Sequence, residues 1–167
     1  MFEFAAWLGA TPLSIAIQSR LWLTPLLQSI HILMIGVVFV SILVVGLRVL
    51  GRMRTDEPLS HVWQRFAPWL WSSLGVMAAT GIVLVIGEPV RQFTAFSFWS
   101  KMTLLVIGVA SALYFGRTVG AAASSRELSG GARFVAVATI ALWLVIIFLG
   151  RAIAYDVEVW GSWHLGA

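Results

Sequence analysis

The chain has 167 residues, of which 60% are hydrophobic and 11% charged, with a formal net charge of +4 and a mean hydropathy of +0.94. So few charged residues exclude an ordinary soluble domain of this size, which needs far more polar surface. The absence of cysteine excludes disulfides and thiolate-bound metals. The positive charge does not indicate nucleic acid as a partner, because basic residues beside membrane helices usually set topology.

Long apolar runs indicate helices that cross a membrane. A helix needs roughly 20 apolar residues to span the hydrocarbon, where every backbone polar group must be paired internally. Such runs occur at residues 26–47, 69–87, 98–116 and 134–150. We therefore predict an all-α, four-transmembrane-helix bundle in a single integral membrane domain over 1–167, with helices at about 25–50, 66–87, 97–117 and 133–155.

The N-terminal segment 2–23 is predicted to be an interfacial helix. Glu3 stands where a secretory signal would carry a basic residue. Thr11–Pro12 is a helix-start signal, because a hydroxyl can cap free N–H groups and proline is tolerated in the first turn. Thr24–Pro25 repeats this signal and is predicted to open the first spanning helix.

The basic residues are distributed unevenly between the two ends of the predicted helices. The four near the termini and the middle hairpin are Arg20, Arg91, Lys101 and Arg151. The seven between helices one and two or three and four are Arg48, Arg52, Arg54, Arg65, Arg117, Arg126 and Arg133. Cytoplasmic loops carry the excess of Lys and Arg. We therefore expect a multi-pass protein of the bacterial inner membrane with both termini periplasmic.

Motifs for soluble catalysis are missing from the sequence. It contains no phosphate-binding loop, dinucleotide fingerprint or His-Glu-x-x-His pair. The pair Ser72–Ser73 is poor support for a nucleophile, since serines in membrane helices usually bond to backbone carbonyls or support packing. The sequence leaves open whether the chain is an enzyme. The expected partners are the lipid bilayer and other membrane subunits or further copies of this chain.

His31 is the first candidate site residue, about two turns into the first predicted spanning helix. Gln28 shares its helix face and is taken with it as a candidate cofactor-binding residue. Ionisable residues at this depth are rare and tend to face the bundle interior. Three interpretations stay open: a structural histidine bonded to another helix or a headgroup, a cofactor or metal ligand, and a contact for a quinone or a proton.

Arg151 is the second candidate, near the end of the fourth predicted helix, with Tyr155 one turn further on the same face. Arg151 could reach lipid phosphate or pair with Glu88. Alternatively, its forked donors suit an anionic group such as a haem propionate. Arg151 and His31 are predicted at the same membrane side, which favours a shared site.

Small residues recur every four positions on the third helix, at Gly108, Ala112, Gly116 and Gly120. This spacing lets another helix approach closely, and a flat glycine face could also accept a macrocycle. Trp143 lies near the middle of the fourth helix and could pack inward or against a neighbouring subunit.

Several short segments carry a resemblance to known proteins: 22–25, 28–33, 47–51, 68–71, 80–84, 88–91 and 150–155. Together they resemble an uncharacterised family of bacterial four-helix membrane proteins, known as a domain of unknown function. The likeness covers nearly the whole chain.

A more distant similarity involves the four-helix plan and the segment 98–102. These features are similar to copper-resistance D-type and b-type cytochrome membrane bundles, which implies haem or copper and electron transfer with quinones. This sequence departs from that pattern at Gly116, where members often have a histidine before the arginine that ends helix three, here Arg117. The departure argues against a metal or haem site at the inner side.

The function expected from these observations is a small b-type cytochrome-like membrane subunit that transfers electrons between the quinone pool and a periplasmic partner. His31 would be an axial ligand of haem b, and Arg151 would hold a propionate. Met102 and His164 are the candidates for the second ligand.

Two other functions compete with this expectation. A cofactor-free structural or assembly subunit of a larger respiratory or photosynthetic complex would explain the near absence of extramembrane domains. A small transporter or copper-handling protein is the least favoured, because the spans lack paired carboxylates and a methionine or histidine array.

Overall fold

A computed structural model describes residues 2–121 and 130–161. The regular structure in these ranges is helical: α1 (Phe2–Gly9), α2 (Pro12–Gln18), α3 (Leu23–Val49), α4 (Leu59–Gly87), α5 (Pro89–Thr94), α6 (Phe96–Ala121), α7 (Gly130–Ala152), a 3-10 turn (Ile153–Tyr155) and α8 (Asp156–Trp160).

Four of these helices are long and apolar enough to cross a membrane, which confirms the predicted four-span, all-α fold class. The spans are Leu23–Val49, Leu59–Gly87, Phe96–Thr118 and Gly130–Tyr155. We call the end of the bundle that carries α1, α2, α5 and α8 the terminal end, and the end that carries the connection 50–58 the loop end.

The four spanning helices pack as a closed ring. The contact of α3 with α4 is the most extensive, α4 and α7 contact α6, and α7 closes the ring on α3. One buried cluster fills the loop half: Val45, Val49, Leu59, Val62, Phe115, Ala132 and Ala136. A second fills the middle: Val38, Ile42, Leu70, Met77, Ala112, Trp143 and Ile146.

Helix α4 begins at Leu59 rather than at about 66 as the sequence suggested. Pro58 occupies the N-cap with an extended backbone, φ −56° and ψ 140°, so the helix starts directly after it. Pro68 therefore lies inside α4. Neighbouring helices can satisfy the carbonyl that a proline leaves free in a membrane bundle.

Gly120 lies in α6, and Gly130 and Gly131 lie in α7. Helix α6 extends to Ala121 and α7 begins at Gly130. Residues 122–125 lie outside the described part of the chain.

The N-terminal segment forms two short helices, of which α2 packs against α4 and α1 packs mainly against α5. Thr11 caps α2 as its sequence signal predicted, accepting a hydrogen bond from the Ser14 backbone N–H at 3.3 Å. The buried Ser14 hydroxyl donates to the Ile86 carbonyl at 2.7 Å, which fastens α2 to α4. Thr24 is not a cap, because Leu23 already belongs to α3.

The loop end is held by a buried arginine. Arg48 is 4% exposed, and its Nε and Nη2 donate to the Glu57 carbonyl at 3.2 and 2.6 Å. The Glu57 carboxylate pairs in turn with Arg54 at 2.8 Å and Arg65 at 3.2 Å. These contacts tie the 50–58 connection to the end of α3.

Candidate functional site

His31 makes a polar contact across the interface between α3 and α4. The side chain is partly buried, and its Nδ1 lies 2.8 Å from the Oγ1 of Thr80. The Thr80 hydroxyl itself donates to the Val76 carbonyl at 2.8 Å. A hydroxyl carries a single hydrogen, so the tautomer that keeps the bond to Val76 is the one in which Nδ1 carries the proton and donates to Thr80. In that tautomer Nε2 is the ring nitrogen with the lone pair.

The positions of these residues along their helices explain why they meet. His31 lies about 12 Å along α3 from Leu23, and Thr80 lies about 10 Å before the end of α4 at Gly87, at 1.5 Å per residue. Since α3 and α4 run in opposite directions, both residues reach the same level near the terminal end. A Cβ built on Gly81 would lie 3.5 Å from His31 Cε1, so the imidazole packs against this glycine.

Lys101 brings a positive charge to the same level from α6. It lies about 8 Å from the start of that helix at Phe96, and it is partly buried. Its Nζ lies 3.4 Å from the position that a Cβ on Gly150 of α7 would occupy.

No carboxylate lies within ion-pair distance of Lys101 among residues 2–121 and 130–161. His31 of α3 and Thr80 of α4 thus lie at the same end of the bundle as Lys101 of α6, which contacts Gly150 of α7. We call His31, Thr80 and Lys101, with the small neighbours Gly81 and Gly150, the polar site.

Arg151 and Tyr155 contact each other but face outward. The guanidinium carbon of Arg151 lies 5.6 Å from the centroid of the Tyr155 ring, and both side chains are exposed. Glu88 pairs with Arg91 at 2.5 Å and not with Arg151. Helical periodicity correctly placed Arg151 and Tyr155 on one face, but that face is not the one at which His31 meets Thr80.

The other predicted ligand residues are not assembled around His31 either. Gln28 is exposed, and Met102 packs against the apolar cluster of Ala95, Phe98 and Ile153. His164 lies outside the described residues. Within the described part of the chain, no group of three or more His, Asp or Glu side chains could hold a metal ion.

The small residues of α6 receive tryptophan rings. A Cβ on Gly108 would lie 3.3 Å from the Trp143 indole, and a Cβ on Gly116 would lie 2.8 Å from Trp63. Trp143 is 1% exposed, so it packs inward, and no described residue hydrogen-bonds its Nε1. Indoles therefore occupy the space that the sequence suggested for a neighbouring backbone or a macrocycle. The surroundings of Gly120 lie outside what the structure describes.

Two cavities lie nearer the middle of the bundle. One encloses about 20 Å³ beside Ser41, Ala112 and Thr139, which is room for about one water molecule. The other is a groove of about 370 Å³ between α3 and α4, lined by Leu33, Gly36, Val37, Val40, Ser41, Phe66 and Trp69. Neither cavity is lined by His31.

Asp156 has a role that the sequence did not reveal. Its buried carboxylate accepts hydrogen bonds from the backbone N–H groups of Phe96 at 3.0 Å and Ser97 at 2.9 Å. It thus caps the start of α6 from a position about 60 residues away in sequence. Trp160 donates to the Ser97 hydroxyl at 2.7 Å and holds α8 at the same place.

Comparison with known proteins gives one match. A family described as "Family of unknown function (DUF6644)" matches residues 18–156. The chain belongs to this family. The DUF6644 match begins in α2 and ends at Asp156, so it includes the four spans and the polar site. No curated protein and no solved structure matches the chain, and the similarity to copper-resistance or cytochrome bundles stays a prediction.

Proposed function

We propose that the chain is a small subunit of a membrane electron-transfer system, and that its polar site binds the head group of a quinone-type redox lipid. The observation that carries the proposal is the hydrogen bond between His31 Nδ1 and Thr80, which leaves Nε2 as an imidazole acceptor at the end of the bundle that also holds Lys101. Lys101 is a cation with no carboxylate partner among the described residues. Ionisable side chains at this depth are costly, and they commonly mark substrate or ion pathways.

The chemistry of the site suits this class of ligand. A quinone head carries two oxygens on opposite sides of a flat ring, and its apolar tail keeps the molecule in the bilayer. The Lys101 ammonium has only donors, whereas the His31 Nε2 accepts. A lipid-soluble ligand could reach both groups from the hydrocarbon without an aqueous channel.

Haem b fits the described residues less well. Metal-bound histidines usually donate their second ring N–H to a fixed acceptor, so His31, held by Thr80, suits one axial position. However, Met102 packs within an apolar cluster, and Arg151 lies over Tyr155 at an exposed position. The described residues thus supply one ligand, and the predicted propionate partner Arg151 faces outward. We therefore place the quinone before the haem.

A cofactor-free structural or assembly subunit is the second candidate. The dense packing in the middle and in the loop half of the bundle favours this candidate, because the Trp63 and Trp143 rings pack directly against glycines of α6. The enclosed cavity there has room for about one water molecule. A rigid bundle without a ligand needs this kind of packing.

We propose in addition that the terminal end faces the periplasm of a bacterial inner membrane. The support is the excess of basic residues at the loop end, seven against four. A reporter inserted in the 50–58 connection should behave as cytoplasmic, and one fused after Ala167 should behave as periplasmic. The reverse pattern would place the polar site at the cytoplasmic side.

The function is tested on protein purified in mild detergent. We expect saturable binding of a benzoquinone with a decyl tail. The binding is measured by the quenching of tryptophan fluorescence. Lys101→Met removes the donor and should weaken this binding about tenfold, the loss of one charged hydrogen bond. Arg151→Met, a change of an exposed cation at the same end, should leave it unchanged.

An absorption spectrum of the same preparation tests the haem alternative. A reducible Soret band that His31→Gln abolishes or shifts would support a cytochrome. Colourless protein, expressed with sufficient haem, that also shows no saturable quinone binding would give the structural subunit first place.

A further inference from the structure

We infer that the polar site selects the reduced, dihydroxy form of its ligand over the oxidised form, because His31 presents only an acceptor to it. The inference rests on the proposed quinone site and specifies which redox state that site holds.

The direction of the hydrogen bonds follows from a chain of three groups. The Val76 carbonyl can only accept, and it receives the Thr80 hydroxyl hydrogen at 2.8 Å. The Met77 carbonyl, the other acceptor near that hydroxyl at 3.2 Å, can also only accept. Thr80 Oγ1 is therefore the acceptor for His31 Nδ1–H at 2.8 Å, and Nε2 keeps its lone pair.

Two alternative states of His31 are opposed by its surroundings. In the other tautomer Nδ1 would be an acceptor, and Thr80 could satisfy it only by giving up its bond to the Val76 carbonyl. An imidazolium would add a second charge to the apolar bundle at the level of Lys101, which is costly inside a membrane. The Nδ1–H form is thus the one in which every described contact is satisfied.

The ligand's redox state changes what His31 meets. An oxidised quinone offers carbonyl oxygens, so a lone pair would face the lone pair of Nε2. A hydroquinone offers an O–H that donates to Nε2. Lys101 can donate to the second oxygen in both states, and the preference therefore comes from His31 alone.

The expected preference corresponds to about one hydrogen bond gained by the reduced form, or about tenfold in Kd. It is measured by titrating the purified protein with the decyl-tailed benzoquinone, and separately with its dihydroxy form kept reduced by dithionite under argon. The chain has no cysteine, so the reductant breaks no disulfide.

Variants at Thr80 separate this inference from a general structural effect. Thr80→Val removes the acceptor that orients the ring, so either tautomer becomes accessible and the preference should fall to about twofold or less. Thr80→Ser keeps the hydroxyl and should retain the tenfold preference. Thr103→Val removes an exposed hydroxyl on α6 that bonds only to the Trp99 carbonyl, and it is the matched control.

Each result decides between the two proposals. A preference for the reduced form that Thr80→Val removes and Thr80→Ser retains supports the inference. Equal binding of both forms by the unmodified chain overturns it and leaves the quinone site in place, as does a preference that survives in Thr80→Val. Absence of binding by either form overturns the inference together with the proposed function.

Discussion

Two cationic side chains lie at opposite ends of the bundle, and they differ in burial and in their polar partners. Arg48 at the loop end is 4% exposed and donates twice to the Glu57 carbonyl. Lys101 near the terminal end is partly buried, with no carboxylate in ion-pair range in the described chain.

The difference indicates which end is built for stability and which is available to a ligand. A buried charge is tolerated when hydrogen bonds replace its hydration, and it is costly otherwise. The contacts of Arg48 close a loop, so this residue is structural. The ammonium of Lys101 lies at the same end of the bundle as the His31 imidazole, where we propose that a polar ligand satisfies both. Each prediction below tests one side of this contrast.

The largest effect on stability is expected from Arg48→Met. The change keeps an apolar stem but removes both donors to the Glu57 carbonyl, and we expect a loss of about 3 kcal/mol in the free energy of unfolding. Unfolding by SDS in mixed micelles, followed by circular dichroism, measures it. Arg117→Met, at an exposed position on α6, is the control and should cost less than about 0.5 kcal/mol. Equal losses would mean that Arg48 does not hold the loop.

The next effect concerns the packed loop half. A Cβ on Gly116 would lie 2.8 Å from Trp63 Cζ2, an atom of a rigid ring, so Gly116→Ala should cost about 2 kcal/mol through overpacking. Gly36→Ala is the matched change in α3, where nothing lies within 4 Å of the new atom. It should be neutral or stabilising by up to about 1 kcal/mol, because alanine favours a helix over glycine. If both variants have the same stability, the Trp63 ring can move to accommodate an additional methyl group at position 116.

Much of the fold was predictable because a membrane restricts what a sequence can do. Long apolar runs have few alternatives to spanning helices, and Thr11–Pro12 correctly identified the start of α2. The start of α4 was missed because His61, Gln64 and Arg65 make its first turns look like a loop. Asp156 was missed because it caps a helix about 60 residues away, and no local pattern reports a contact of that kind.

The candidate site was only partly predictable, for a related reason. Rarity alone singled out His31, but its partner Thr80 is an ordinary residue for a membrane helix. Lys101 was counted only as a topological charge, although a lone lysine in the second turn of an apolar helix was a usable signal. The outward direction of Arg151 could not be deduced, since α7 is apolar on most of its surface and periodicity does not mark its inner face.

A smaller effect is expected where the chain ends meet at α6. Asp156→Asn keeps the shape of the side chain but removes the charge from two hydrogen bonds to backbone N–H groups. We expect a loss of about 1 kcal/mol, typical of a weakened helix cap. Glu158→Gln, two residues further on at an exposed position, should change stability by less than about 0.5 kcal/mol. A loss shared by both variants would indicate a general charge effect and not a cap.

The smallest effect on stability is expected from Lys101→Met, and this variant tests the contrast most directly. Methionine is close to lysine in length, and its uncharged side chain is favourable in hydrocarbon. Removal of a charge that has no ion pair should therefore leave the free energy of unfolding unchanged or raise it by about 1 kcal/mol. The same variant should lose quinone binding about tenfold, since the donor to the ligand is gone. Stability retained with binding lost is the behaviour of a residue kept for a ligand, and it is the opposite of what Arg48→Met should show. A loss of stability comparable to that of Arg48→Met would mean that Lys101 is a structural residue, and the polar site would then no longer support a ligand.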